Sequence, residues 1–201
     1  MHRRILLDTS VLAPEPLWLW TLALTDGIPA AQRPQLLVTD GVARELRYAL
    51  RRVDPRLDRR RADLAARLRL DSLTVAEAAA GPSAPPASQR PRVVDPGDAF
   101  LDADALRLGV GALVTDDVHA FAPLTDEERG YEIQTADEFL CAVTGDHVLD
   151  LVEAHERYRV LLARTADALG LDQVPGSASH RLRRSRARRF ATRLVRAQRR
   201  A

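Results

Sequence analysis

Lysine is absent from this 201-residue chain, so all thirty basic charges are arginine. That excludes every site that needs a lysine, the phosphate-binding P-loop and the lysine of receiver domains among them. It also tempers the reading of arginine clusters, because an arginine-only basic set fits a genome-composition bias. Cysteine is nearly absent too. Cys141 alone excludes an intramolecular disulfide framework and a cysteine zinc site, and it fits a reducing compartment, with the cytoplasm as the expectation. Aromatic residues make up only 4% of the chain, which leaves little for stacking platforms that read single-stranded bases. Long apolar runs are missing as well. In MHRRILLDTSVL, Asp8 interrupts the apolar stretch after three residues, too soon for a secretory segment. The Leu17 to Leu24 run is too short to span a bilayer, so no membrane partner is expected.

What is present suffices for a core: 46% of the residues are hydrophobic, and the length suits one domain with a possible appendage. Charge is unevenly divided. Residues 171–201 hold ten arginines and one aspartate, a net +9 that leaves −7 for residues 1–170 within an overall +2. An acidic body, 1–170, therefore carries a basic, helical or partly flexible tail, 171–201.

Periodicity and punctuation place the elements. Residues 3–7 read as a buried strand, and Pro14 and Pro16 open a helix to about Asp26 with Trp18 and Leu22 inward. Gln35 to Thr39 reads as a second strand, after which Thr39 or Asp40 caps a helix carrying Glu45, Leu46 and Leu50. Asp54 to Leu70 reads as another helix and Ser72 to Ala76 as a short strand. Gly81 to Pro91 is a low-complexity loop, and Asp95-Pro96-Gly97 is a turn that delivers Asp98 to a helix stopped by Gly109. Ala112 to Thr115 is a further strand, and Glu132 and Ile133 begin another. Thr135 caps a helix to Val143, and Asp146 to Leu169 continues as a long one. In the tail, Ala187, Phe190, Ala191, Leu194 and Val195 recur at helical spacing, which predicts one basic amphipathic helix. Alternating strands and helices give an α/β sandwich around a mainly parallel sheet.

Four acidic positions lie where apolar runs meet polar edges: Asp8, Glu45, Asp98 and the Asp116/Asp117 pair. Parallel sheets form sites at the carboxyl ends of their strands, so these carboxylates can converge there. Converging carboxylates repel unless a hard cation offsets them, which suits magnesium or manganese. Each position has a plainer reading. Asp8 can be a strand-edge polar residue, with Thr9 and Ser10 hydroxyls bonding it or a metal-bound water. Glu45 can form a solvated helical ion pair. Asp98 can favour a helix N-terminus, and one of Asp116 and Asp117 can simply start a turn. Asp102 is one helical turn from Asp98, and Asp104 points elsewhere and is expected to be exposed. His119 reads as a loop histidine, His147 and His155 as surface residues, and Cys141 as core.

Taken in order, LLDTSVL, TDGVAREL and DPGDAFLDADALRLGVGALVTDDVHAF resemble the PIN-domain nucleases over about residues 3–155, and YEIQTADEFL resembles the subgroup that includes the toxins of bacterial VapBC toxin–antitoxin systems. The resemblance implies a three-layer α/β/α sandwich and a ribonuclease dependent on Mg2+ or Mn2+. Its acidic cluster corresponds to Asp8, Glu45, Asp98 and Asp117, with Asp8, Asp98 and Asp117 on the metal and Ser10 and Thr115 as supporting hydroxyls. Two positions depart from the family pattern, Asp102 and Asp116; either can join the metal shell or face out. The resemblance further implies an RNA substrate, a homodimer, and an antitoxin that places an arginine among the carboxylates. Two alternatives stand beside it. One is a PIN-like protein that binds RNA or a partner with little or no cleavage. The other is a phosphatase of the haloacid dehalogenase type, which needs an acid where this chain has Ser10. The basic tail suits RNA or antitoxin contact equally with a solvated helix.

Overall fold

A computed structural model of the chain describes residues 4–76, 93–94, 98–146, 149–172 and 176–200. Five strands form one parallel sheet in the order β3-β2-β1-β4-β5, with β1 Arg4–Leu7, β2 Gln35–Thr39, β3 Thr74–Ala76, β4 Ala112–Val114 and β5 Glu132–Gln134. Ile5 pairs with Leu36 on one side and Ala112 on the other, so β1 is the central strand. Its Ile5, Leu6 and Leu7 are buried, as are Ala112, Leu113 and Val114 of β4. Strands covered on both faces read as continuous apolar runs, and these two do. The edge strands β3 and β5 are half-buried or exposed. The fold is thus α/β around an all-parallel sheet, consistent with three layers.

The helices are α1 Thr9–Leu12, α2 Glu15–Thr25, α3 Asp40–Val53, α4 Arg59–Leu70, α5 Ala99–Leu108, α6 Asp126–Arg129, α7 Ala136–Asp146, α8 Leu151–Leu169, α9 Ala178–Arg184 and α10 Arg188–Gln198. Helix α2 is apolar nearly all round because it packs against α1, α7, α8 and α9. Leu22, expected to point inward with Trp18, is one of its few partly exposed residues. Trp20 is fully buried, stacked on Tyr158 at 4.8 Å between ring centres and met edge-on by Phe190 at 5.1 Å. His155 also stacks on Trp20, at 6.0 Å, and is therefore not a free surface residue. Burial in this stack lowers its pKa. Cys141 is in the core, as expected.

Three boundaries differ from the sequence reading, each for a local reason. The Asp54–Leu70 helix begins only at Arg59, since Asp54 ends α3 and turns its carboxylate onto Arg56, while Asp58 caps α4 by accepting from Arg61 N at 2.8 Å. The Asp146–Leu169 helix begins only at Leu151, because Asp150 caps it by accepting from Val152 N at 2.7 Å, and Asp146 instead ends α7. The expected single tail helix is two helices. Arg186 adopts a left-handed conformation, φ 67°, and Ala187 N returns to the Leu182 carbonyl, which turns the chain between α9 and α10. Leu182, Ala187, Phe190, Ala191 and Leu194 are all fully buried in the same core as β1 and α2. The Gly81–Pro91 loop, the Asp95–Gly97 turn and His147 lie outside the described residues.

Candidate active site

The strand order reverses at β1 and β4: β2 and β3 lie on one side of β1, β4 and β5 on the other. Such a switch point leaves a crevice beyond the carboxyl ends of the two strands. Asp8 follows β1 directly, and its backbone N–H continues the ladder to the Val114 carbonyl at 3.0 Å. Its carboxylate caps α1, accepting from Thr9 N at 2.6 Å and Ser10 N at 3.3 Å. Three hydroxyls add to these: Ser10 at 2.6 Å, Thr115 at 2.9 Å and Thr9 at 3.2 Å. Thr115 is itself buried at the end of β4. The same hydroxyls accept from the next turn, Asp116 N donating to Ser10 Oγ at 3.0 Å and Asp117 N to Thr115 Oγ1 at 3.1 Å. Two strand ends are stitched by two hydroxyls around one carboxylate.

Glu45 reaches this cluster from α3 through Thr9, whose hydroxyl lies 3.2 Å from Glu45 Oε2 as well as from Asp8 Oδ1. One hydroxyl proton serves both carboxylates, so Thr9 donates to one at a time. The other oxygen of Glu45 accepts from Arg52 at 3.2 Å, and its side chain is 55% exposed. The solvated ion pair foreseen for Glu45 therefore exists together with its link to Asp8.

Of the two successive acids, Asp116 is half-buried and Asp117 exposed. Asp116 Oδ1 accepts from Ala136 N, at the start of α7, at 3.3 Å. Burial raises its pKa, and the neighbouring charges of Asp8 and Asp137 raise it further, while the Ala136 bond and Arg186 oppose them. Asp117 precedes a short 3-10 turn, Val118–Phe121, without capping it by its side chain. His119 in that turn is exposed, as expected of a loop histidine.

Asp98 stands half-buried immediately before α5, and its side chain makes no capping bond. Asp102, expected to join a metal shell or face out, does not face solvent: it is 2% exposed and accepts from Tyr131 OH at 2.6 Å. Asp104 is half-buried and paired with Arg107 at 2.9 Å, so it is not the exposed residue expected. The structure thus brings Asp8, Ser10, Thr115 and Asp116 together, with Glu45 attached through Thr9.

The donors suit a hard cation in kind, since all are oxygen and Asp8 and Asp116 repel each other electrostatically. They are not yet gathered in number: among the described residues, no three histidine, cysteine or acidic side chains form a group able to hold a metal ion.

No family model, curated protein or solved structure matches the chain. Two participants escaped the sequence reading. Tyr131 carries no motif that ties it to Asp102. Arg186 is one of ten arginines in residues 171–201, and only the turn between α9 and α10 sets it apart.

Proposed function

We propose that the chain is a divalent-metal-dependent endoribonuclease with a PIN-like fold, hydrolysing RNA phosphodiester bonds as the toxin of a VapBC-type pair. The observation that carries this reading is the Asp8 carboxylate at the β1/β4 switch point, held by the hydroxyls of Ser10 and Thr115 and linked through Thr9 to Glu45. Asp8, Asp98 and Asp117 would hold Mg2+ or Mn2+, with Asp116 as the additional acid beside Asp8. A bound divalent cation supplies charge neutralisation at the phosphate and acidifies a coordinated water.

The chain's own residues do the rest. Glu45 Oε2 accepts a proton from the attacking water as its oxygen forms the new bond to phosphorus and the P–O bond to the leaving nucleoside breaks, the leaving oxygen taking a proton from solvent water. Thr9, able to donate to either carboxylate, holds Asp8 and Glu45 in register. Ser10 and Thr115 fix the Asp8 carboxylate plane. Arginines offset the repulsion between phosphate and the acids: Arg44 and Arg47 on α3 and those of residues 171–201 are the candidates. A homodimer, and an antitoxin that inserts an arginine among the carboxylates, belong to the same proposal. No helix among the described residues is long and apolar enough to cross a membrane.

One observation favours a second reading, a PIN-like protein that binds RNA or a partner without cutting. Asp8 accepts four hydrogen bonds besides the one that Thr9 shares with Glu45, so a metal ion competes with these donors for its oxygens. Incubating a labelled total-RNA pool with purified protein in manganese, magnesium or EDTA, beside Asp8→Asn, separates the two. Metal-dependent cutting that Asp8→Asn loses supports the nuclease; tight RNA binding with no cutting in either metal supports the binding protein.

A further inference from the structure

The turn between α9 and α10 is clamped to the edge of the acidic site. Asp137, at the start of α7, accepts from the backbone N–H groups of Arg189 at 3.0 Å and Phe190 at 2.8 Å. Its neighbour Ala136 donates to Asp116. One residue pair of α7 therefore holds the site's Asp116 and the first turn of α10 side by side. Arg186, just before α10, is consequently delivered to the same edge. Buried Leu182 and Ala187 on either side, and Phe190 against Trp20, fix the turn from within the core.

Arg183, Arg188 and Arg189 around it are exposed like Arg186, while the other arginines of the two helices are engaged elsewhere or lie apart from the site. Arg181 is buried on Glu15 and Tyr158, and Arg193 donates to the Cys141 carbonyl. Arg184 lines a separate cleft of about 490 Å³ between α2, α4 and α8. Arg186 is exposed, and its guanidinium makes no hydrogen bond or ion pair among the described residues. It is also the only non-glycine among the described residues with a positive φ. A bulky side chain in the left-handed region is held there against local preference, a pattern that recurs at functional sites.

We infer that Arg186 is the phosphate-binding arginine of this site, reaching from the α9–α10 turn to a bridging phosphate of an RNA strand laid across the ends of β1 and β4. The inference rests on the ribonuclease reading for its location and supplies the positive charge that an acidic site needs to admit a polyanion. A guanidinium presents paired N–H donors that match a phosphate's oxygens, and a side chain with no internal partner keeps all of them for the ligand.

The test measures affinity of a fluorescein-labelled single-stranded RNA by anisotropy in EDTA, across a salt series, for the wild type, Arg186→Gly, Arg186→Lys and the exposed α8 variant Arg164→Ala. One lost phosphate contact lowers the slope of log affinity against log salt by about 0.7 for single strands. Arg186→Gly is expected to show that drop while raising Tm by about 2 °C, since glycine relieves the positive φ. Arg186→Lys keeps the slope, and Arg164→Ala matches the wild type. Unchanged affinity and slope in Arg186→Gly, or no RNA binding by the wild type, overturns the inference. Cleavage in manganese separates it from the reading beneath it. If the wild type cuts and Arg186→Gly cuts with unchanged KM and kcat, the inference falls and the nuclease stands. If binding depends on Arg186 but nothing cuts, the nuclease reading falls and the phosphate contact stands.

Discussion

Replacing Phe190 by alanine tests whether the basic C-terminal segment is an appendage or part of the fold. Phe190 is fully buried and meets Trp20 edge-on, with ring centres 5.1 Å apart and planes at 75°. Trp20 is stacked in turn on Tyr158 at 4.8 Å, so the substitution opens a cavity at the junction of α2, α8 and α10. Truncating a buried phenylalanine costs about 3–5 kcal/mol, including an edge-to-face contact of about 1 kcal/mol. For a domain of this size each kcal/mol shifts Tm by about 2–4 °C, so a fall of about 10 °C is expected. Thermal and urea unfolding followed by tryptophan fluorescence and far-UV circular dichroism are the assays, since Trp20, one of the two tryptophans, lies at the junction. Arg196→Ala, exposed on the same helix, should change stability by less than about 0.5 kcal/mol. Two results would refute the reasoning. One is a Phe190→Ala protein within about 1 kcal/mol of the wild type. The other is an early separate transition of the C-terminal helices that leaves the main transition unmoved.

Three further outcomes are expected. Asp8→Asn and Asp98→Asn should each abolish metal-dependent RNA cleavage at wild-type fold content; retained cutting in both sinks the proposed site. Arg69→Ala should cost about 3 kcal/mol in urea unfolding, because the buried guanidinium donates to the Leu12 carbonyl at 2.8 Å and the Ala65 carbonyl at 3.0 Å and lies 4.4 Å from the Trp18 ring centre. Burial pulls the Arg69 pKa down to about 10, which still leaves it charged near neutrality. Glu15 is mostly buried, with Oε2 on Arg181 and Oε1 without a partner among the described residues. Burial outweighs the arginines and raises its pKa. A raised folded-state pKa means that the native state binds more protons than the unfolded state just above the ordinary glutamate range, so stability falls as pH rises through that window. Glu15→Gln should flatten this decline, and parallel pH–stability profiles for the two proteins would contradict it.

The strands and some of the caps were legible because they depend on neighbours in sequence. Gln35 to Thr39 is the observed β2, Gly109 ends α5 with φ 57°, and Thr39 caps α3. Two helix starts were misplaced, since Asp58 and Asp150 are two of several acids that can cap, and side-chain partners decide among them. The acidic site was legible as a set of types and not as an arrangement. Asp102 looked like Asp98's partner one turn away, yet Tyr131, twenty-nine residues further on, takes it into the interior.

Composition and local pattern by themselves determined that this is an α/β chain without disulfides or lysine chemistry, with acids at strand ends and a basic C-terminal segment. Those properties follow from side-chain type and from periods of two and 3.6, which act over a few residues. Only the tertiary structure decided that β1 and β4 are neighbours, that Thr115 closes on Asp8, and that α10 completes the core around Trp20. These depend on which buried surfaces meet across a hundred residues or more, and a sequence pattern states that a face must be covered without naming what covers it.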